Sequence, residues 1–127
     1  MSELRLHHLA LGAVDVAAVV AFYRDVLALP EIARHRYADG TLRSVWLDLG
    51  GAVLMVEHAA EPRPRVEGVA AGLFLLALTV SPGKRLQLEL QLERLGHTIE
   101  GRTENSSYFR DPEGNRVAVS HYPLREA

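Results

Sequence analysis

Apolar positions follow two different periods in the first half of the chain. Over residues 43–49 they alternate with polar positions, which is the period of a strand with two unlike faces. Over residues 16–27 they recur at helical spacing after Asp15, a favourable N-cap, and this helix must end before Pro30. We predict strands over residues 4–11, 31–37, 43–49 and 53–58.

The segment 84–95 fits both periods, because its leucines alternate with polar residues. A helix is favoured, since Ser81 and Pro82 suit its first positions, Gly96 suits its end and the filling residues are strong helix formers. Leu88, Leu92 and Leu95 also fall on one face of such a helix. Strands are predicted over residues 73–80, 98–102, 106–110 and 117–122.

The order β-α-β-β-β thus occurs twice, with an offset of roughly 65 residues. A stretch rich in proline and arginine, residues 61–68, lies between the two copies and is typical of a linker. We therefore predict an α+β fold in which residues 1–127 form one domain. Its two modules span about residues 1–60 and 70–127.

Composition narrows the function classes. The chain of 127 residues is 48% hydrophobic and 24% charged, with a formal net charge of −2 and no basic stripe, so binding to nucleic acid is not expected. Cysteine is absent, which removes disulfides and thiolate nucleophiles. No apolar stretch reaches membrane-spanning length and residues 1–5 lack a secretory pattern, so a cytoplasmic protein with no membrane contact is expected.

Four segments occur in the order and spacing of a known family: His8-Leu9-Ala10-Leu11, Phe22-Tyr23-Arg24-Asp25-Val26-Leu27, Leu49-Gly50-Gly51 and Phe109-Arg110-Asp111-Pro112-Glu113-Gly114-Asn115. Together they resemble the vicinal oxygen chelate superfamily, also called the glyoxalase/bleomycin resistance/dioxygenase family. The resemblance implies that each module curls a mixed sheet around a cleft, with its helix on the convex side. It also implies a homodimer. One departure is Ala28, where the family usually has glycine.

The resemblance further implies metal ligands on the cleft faces of the first and last strands of each module. Carried over, these positions are His8, Leu54, Leu75 and Ala118. Leucine and alanine cannot coordinate and a metal site needs about three protein ligands, so we expect no metal cofactor. Counting by twos from Leu54 places His58 on the cleft face and Glu57 on the other. A divalent metal held off-pattern by His8 and His58 is therefore the alternative.

The same alternation predicts the lining of the cleft. An apolar, aromatic wall with few polar groups suits a small organic ligand. Simpler roles stay open: His8 as a hydrogen-bonded histidine, Trp46 and Tyr108 as core, and an ion pair between Asp48 and Arg110. His35 is expected at the surface. The predicted ligand-binding residues are His8, Ser44, Trp46, Asp48, Leu54, His58, Leu75, Tyr108, Arg110, Ala118 and Tyr122.

We therefore expect a protein that binds a small organic molecule without metal, as the bleomycin-resistance branch of the family does. The alternative is a metal-dependent lyase, isomerase or dioxygenase built around His8, or a metal-free enzyme with His8 as general base. A third hypothesis is a degenerate module that serves only as a dimerisation or regulatory partner. The identity of the ligand, and whether one chain or two form the cleft, stay open at this point.

Overall fold

A computed structural model describes residues 2–124 of the chain. The chain divides into two compact units between Arg63 and Pro64, and we call them unit 1 and unit 2. Each contains a four-stranded mixed sheet and one helical region, so the predicted α+β fold with two βαβββ repeats is confirmed. Within the described residues, no helix is both long and apolar enough to cross a membrane.

Unit 1 contains four strands in the order β1-β4-β3-β2, in which β1 runs parallel to β4 and the other neighbours are antiparallel. Its α-helix continues into a π-helical stretch, Phe22–Val26. The elements are β1 (His8–Ala13), α1 (Val16–Ala21), β2 (Glu31–Arg36), β3 (Leu42–Asp48) and β4 (Val53–His58).

Unit 2 repeats this connectivity, with the strand order β5-β8-β7-β6 and β5 parallel to β8. Its elements are β5 (Leu76–Thr79), α2 (Pro82–Arg94), β6 (Gly101–Arg102), β7 (Ser106–Arg110) and β8 (Arg116–Ser120). The predicted strands over residues 4–11, 73–80 and 98–102 were too long. A strand extends only over the residues that pair with a neighbouring strand. β1 therefore begins at His8, because β4 begins opposite it, at Val53.

The first helix packs its apolar stripe on the sheet of unit 1. Asp15 caps it as predicted, with Oδ1 accepting from the amide of Ala18 at 3.0 Å. Beyond the α-helix, the amide of Leu27 donates to the carbonyl of Phe22 at 3.1 Å, a π-type bond that widens the last turn. The buried side chains between α1 and the sheet are Val16, Val19 and Val20 from the helix, and Val45, Leu47, Leu54 and Val56 from the strands.

Ala28 ends this helical region in a left-handed conformation with φ +62°, the single non-glycine residue of the described chain at positive φ. The helix therefore ends as it would with the glycine that the family usually has. The methyl group of Ala28 makes this conformation unfavourable, because Cβ of an L-residue crowds the backbone at left-handed φ.

We predict that Ala28→Gly raises the free energy of unfolding by about 1 kcal/mol, because it relieves this backbone strain. Urea denaturation of both proteins measures the difference. Ala17→Gly, at an exposed position inside α1, is the matched control and should lose about 1 kcal/mol. A loss of stability in Ala28→Gly comparable to that of the control would contradict the strain.

The segment with two periods is a helix, as predicted. Ser81 Oγ accepts from the amide of Lys84 at 3.2 Å, and Gly96 follows the helix with φ +87°. Leu88 and Leu92 are buried against the sheet of unit 2. Leu95, the C-cap of the helix, is 55% exposed.

Arg85 of α2 is the main polar link between the helix and the sheet of unit 2. Its guanidinium donates to Ser107 Oγ at 2.7 Å and to the carbonyls of Thr103, Glu104 and Ser106 at 2.9, 2.9 and 2.7 Å. The bonds reach both the β7 strand and the loop before it. Arg85 therefore holds this loop against α2 with one side chain that is 12% exposed.

Glu89, one turn further along α2, completes this buried cluster. It accepts hydrogen bonds from the Ser107 hydroxyl and from Arg102 Nε, the latter at 2.7 Å, and lies 3.3 Å from Arg85 Nε. Burial raises the pKa of the Glu89 carboxyl, but the bonds from Ser107 and Arg102 outweigh it and leave the pKa below its usual value. The carboxylate is therefore more stable in the folded protein than in the unfolded chain.

We predict that Glu89→Gln destabilises the protein by about 2 kcal/mol at pH 7, because charge-assisted hydrogen bonds in a buried cluster are lost. A lowered folded-state pKa adds stability above the ordinary carboxyl pKa of about 4.3, and this contribution is lost as the pH falls through the folded-state value. Urea denaturation at pH 7 and pH 3 should therefore show a smaller difference at the lower pH.

Glu93→Gln is the control for this experiment. Glu93 pairs with the same Arg102 at 3.3 Å, but its side chain is 55% exposed, so its loss should cost well under 1 kcal/mol. Equal effects of the two substitutions, or a difference that does not depend on pH, would contradict the role of Glu89.

Candidate functional site

Strand register decides which side chains share a face of the sheet in unit 1. Trp46 lies opposite Met55 on β4 and Ala33 on β2, and Met55 lies opposite Ala10 on β1. Paired residues project to the same side, and α1 covers the other side. We call the uncovered side the helix-free face of unit 1; it carries His8, Ala10, Gly12, Ala33, His35, Arg36, Leu42, Ser44, Trp46, Asp48, Val53, Met55 and Glu57.

The predicted phase of β4 was wrong by one residue. Leu54 lies opposite Leu9 and Leu47 and is fully buried on the side that α1 covers, so it cannot contact a ligand on the helix-free face. Met55 and Glu57 lie on that face instead. A shift of one residue moves every side chain to the opposite face.

The Gly50-Gly51 turn contained the signal that would have given the correct phase. Both glycines have positive φ, +77° and +111°, and the amide of Leu49 donates to the carbonyl of Ala52 at 2.8 Å. Such a two-residue hairpin pairs the residues that flank it. Counting outward from Leu49 and Ala52 places Trp46 opposite Met55.

The predicted pair of His8 and His58 is not brought together. His58 lies in register with Ala13, five residues along β1 from His8, which is about 16 Å at the rise of a strand. The His58 side chain instead contacts the side chain of Tyr37, whose Oη lies 3.0 Å from its Nδ1. His58 therefore belongs to a surface pair.

His8 is exposed and hydrogen-bonded to its neighbour. Its Nδ1 lies 2.9 Å from Nδ1 of His7, and the two rings meet edge to face with centroids 5.1 Å apart. One of the two nitrogens must donate the proton of this bond. The predicted simpler role of His8, a hydrogen-bonded histidine, agrees with this contact.

Trp46, Ser44 and His35 form the most buried polar cluster of the helix-free face. Trp46 Nε1 donates to Ser44 Oγ at 2.8 Å, and Ser44 is 2% exposed. The ring of His35 lies 5.0 Å from that of Trp46, tilted by 60°. The expectation of a surface position for His35 was wrong, because β2 pairs it with Ser44 on this face.

Asp48 lies at the end of β3 on the same face. Its Oδ1 accepts from the amide of Gly50 at 2.7 Å, so it helps to hold the hairpin turn. It also borders an open depression of about 590 Å³ lined by Glu3, Arg5, Leu6, His7, Asp48, Gly51, Ala52 and Val53. Charged groups of both signs border this depression.

In unit 2 the register agrees with the predicted phase. Tyr108 lies opposite Ala118, and Ala118 lies opposite Ala77, while the intervening Phe109 and Val117 are fully buried. The helix-free face of unit 2 therefore carries Ala77, Gly101, Ser106, Tyr108, Arg110, Arg116, Ala118 and Ser120.

Most polar groups of this second face bond to one another. Ser106 Oγ donates to Ser120 Oγ at 2.7 Å, and the Arg116 guanidinium lies 5.3 Å from the centre of the Tyr108 ring. Leu75 lies just before β5 and is half-buried. Tyr122 lies two residues beyond β8 and is 64% exposed, so the predicted extension of the strand to it was wrong.

Arg110 is a structural anchor rather than a free ligand-binding group. Its guanidinium donates to Glu100 Oε2 at 2.6 Å, to the carbonyl of Val66 at 2.6 Å and to that of Gly114 at 3.0 Å. Burial raises the pKa of the Glu100 carboxyl. The hydrogen bond and the charge of Arg110 lower this pKa by a larger amount, so the net pKa is below its usual value. Each partner lies within unit 2, and Asp48 likewise has its partner within unit 1.

The donor set does not fit the divalent metal site that the family resemblance implied. With β4 in its correct phase, the four positions hold His8, Met55, Leu75 and Ala118, of which His8 alone is an ordinary ligand for such ions. Glu57 lies in register four residues from His8, about 13 Å along the strand. Across residues 2–124, no group of three or more His, Asp or Glu side chains is placed to hold a metal ion.

Comparisons with solved structures give the same fold. The fosfomycin resistance protein FosX from Listeria monocytogenes, in complex with Mn(II), has a TM-score of 0.80 at 16% identity and covers 98% of this chain and 96% of its own. A glyoxalase/dioxygenase from Nostoc punctiforme has a TM-score of 0.78 at 21% identity and covers 94% and 92%. A lactoylglutathione lyase from Agrobacterium tumefaciens has a TM-score of 0.67 at 26% identity and covers 91% and 92%.

Among curated proteins, none matches the chain significantly. The sequence profile of a family, however, matches residues 5–119, nearly the whole chain. That match includes the strands and helices of both units. The chain belongs to the Glyoxalase/Bleomycin resistance protein/Dioxygenase superfamily.

Proposed function

We propose that this protein binds a small organic molecule through its helix-free faces, without the divalent metal that many enzymes of the superfamily use. The observation that supports this proposal most strongly is the donor set, in which methionine, leucine and alanine occupy three of the four ligand positions. A lone histidine holds a divalent ion weakly. Binding through apolar and aromatic contacts needs no such ion.

The helix-free face of unit 1 has the composition of a small-molecule site. Trp46 offers a large aromatic surface, and Met55 beside it is a flexible, polarisable side chain that adapts to ligand shape. Ser44 fixes the indole by its hydrogen bond to Nε1. An oriented aromatic ring among few polar groups is what a planar organic ligand requires.

Charge on this face restricts the class of ligand. Asp48 and Glu57 are half-buried carboxylates on either side of the Trp46–Met55 pair. The one arginine or lysine of this face among the described strands of unit 1 is Arg36, which lies opposite Leu42 at the end of β2, is exposed and donates to the carbonyl of Gly40 at 2.8 Å. An anionic ligand would be repelled in this partly desolvated setting. The ligand is therefore neutral or cationic.

A metal-dependent lyase, isomerase or dioxygenase is the second candidate. The 26% identity to a lactoylglutathione lyase favours it, and so does the solved FosX complex with Mn(II). It would require donors from beyond the residues that the family positions supply, or His8 acting as a general base. Metal content distinguishes this candidate from the first.

The family resemblance also supports a homodimer, and the absence of cysteine suits the reducing cytoplasm. We include both in the proposal. Sedimentation equilibrium tests the first, and fractionation of cells that express the protein tests the second.

We predict that protein purified without chelator contains no stoichiometric metal, and that nickel, zinc, manganese and iron do not raise its melting temperature. A ligand at a hundredfold excess over its dissociation constant stabilises a folded protein by about 2.7 kcal/mol, so a true site would be visible. Bound metal that His8→Ala removes and His97→Ala retains would establish the enzyme candidate instead.

We predict that a neutral aromatic compound among a screened set raises the melting temperature of the wild-type protein. Trp46→Ala should lower its affinity roughly 10- to 100-fold, because the buried contact area of one aromatic side chain is lost. Tyr37→Ala, an exposed aromatic residue away from this face, is the control. Unchanged affinity in Trp46→Ala would remove Trp46 from the site.

A further inference from the structure

His35 lies where it can select the ligand that Trp46 binds. It is half-buried on β2, opposite Ser44, and its imidazole lies 5.0 Å from the indole ring at a tilt of 60°. A molecule that contacts the indole on this side would therefore lie close to the imidazole.

Within residues 2–124, His35 Nε2 is the one buried side-chain nitrogen or oxygen that has no hydrogen-bond partner. Such an atom is unfavourable in a folded protein, because it loses its hydrogen bonds to water and gains none in return. Buried polar groups are nearly always paired, and the exceptions call for an explanation. The other polar groups of the cluster, Trp46 Nε1 and Ser44 Oγ, bond to each other at 2.8 Å.

We propose that His35 Nε2 is the specificity-determining group of this face, and that it hydrogen-bonds the hydroxyl group of a neutral phenolic ligand whose ring packs against Trp46. This inference rests on the proposed function. The neutral imidazole can accept a hydrogen bond from a hydroxyl group at Nε2 when its own proton is on Nδ1. Asp48 and Glu57 on the same face disfavour carboxylates and phosphates, which leaves the neutral hydroxyl as the matching group.

A nitrogen that is unpaired until a ligand binds should lower the stability of the ligand-free protein, and this effect can be measured. His35→Phe removes the unpaired nitrogen and keeps a ring of similar shape, so the free protein should melt at a higher temperature than the wild type. The same substitution should weaken binding of a phenol. A purely structural histidine would behave in the opposite way, because its loss would lower the melting temperature and leave selectivity unchanged.

The experiment compares p-cresol with toluene, which differ by one hydroxyl group. Trp46 is the single tryptophan of the chain, so emission excited at the red edge of its absorption reports binding at this face. In the wild type, p-cresol should bind at least tenfold more tightly than toluene, since a site built for a hydroxyl group discriminates against its absence. In His35→Phe the two affinities should become equal.

His35→Gln is the conservative variant, because its amide reaches the position of Nε2 and should restore part of the preference for p-cresol. His97→Phe, which replaces a half-buried histidine of unit 2, is the matched control and should keep the wild-type ratio. If His35→Phe does not fold, His35→Leu takes its place.

The outcomes separate this inference from the proposed function. Binding of p-cresol that keeps its full preference in His35→Phe would contradict the role of His35 and leave ligand binding at Trp46 intact. If neither p-cresol nor toluene changes the emission of the wild-type protein, the role of His35 and the proposed ligand binding at Trp46 are both contradicted. A lower melting temperature of His35→Phe with an unchanged ratio would identify His35 as a packing residue.

Discussion

The cross-strand register of the two hairpins, β3 with β4 and β7 with β8, is the constraint on which the arrangement of side chains depends. In unit 1 the two-residue turn at Gly50-Gly51 sets it, since left-handed φ at both positions pairs the residues on either side. The period of a strand is two, so this turn decides which side chains of β4 lie under α1 and which lie on the helix-free face. Trp46 and Met55 share a face for this reason.

The two units keep the same topology but use their helix-free faces differently. Trp46 and Tyr108 occupy equivalent positions, opposite Met55 and Ala118 respectively. In unit 2 the polar groups are bonded within the unit, as in the Ser106–Ser120 pair and the contact of Arg116 with Tyr108. In unit 1 one imidazole nitrogen is buried without a partner. The two copies of the fold thus differ in how completely the polar groups of their helix-free faces are paired.

Charged residues inside unit 2 stabilise its architecture. Arg85 joins α2 to the loop before β7 through three backbone carbonyls, and Arg110 joins β7 to the carbonyls of Val66 and Gly114. A planar guanidinium with five donors suits this task, because it can donate to several carbonyls at once. The same chemistry explains why an arginine on a candidate binding face need not contact a ligand.

Local signals in the sequence were sufficient for the elements and the repeat. Asp15 and Ser81 cap the two helices, and Gly96 ends the second, because capping depends on residues close in the chain. The alternation of polar and apolar residues also gave the correct faces of β3 and β7. The helix of unit 2 was predictable despite its alternating leucines, since its caps and helix formers agree.

Tertiary structure alone decided the partners of the polar side chains and, in practice, the phase of β4. Residues 53–56 are apolar throughout, so hydrophobicity does not distinguish the two faces of that strand, and only pairing with β3 does. Arg110 meets Val66 from 44 positions away, and His35 meets Trp46 across a bulged ladder. Such contacts depend on where the folded sheet brings distant residues, which a one-dimensional pattern does not encode.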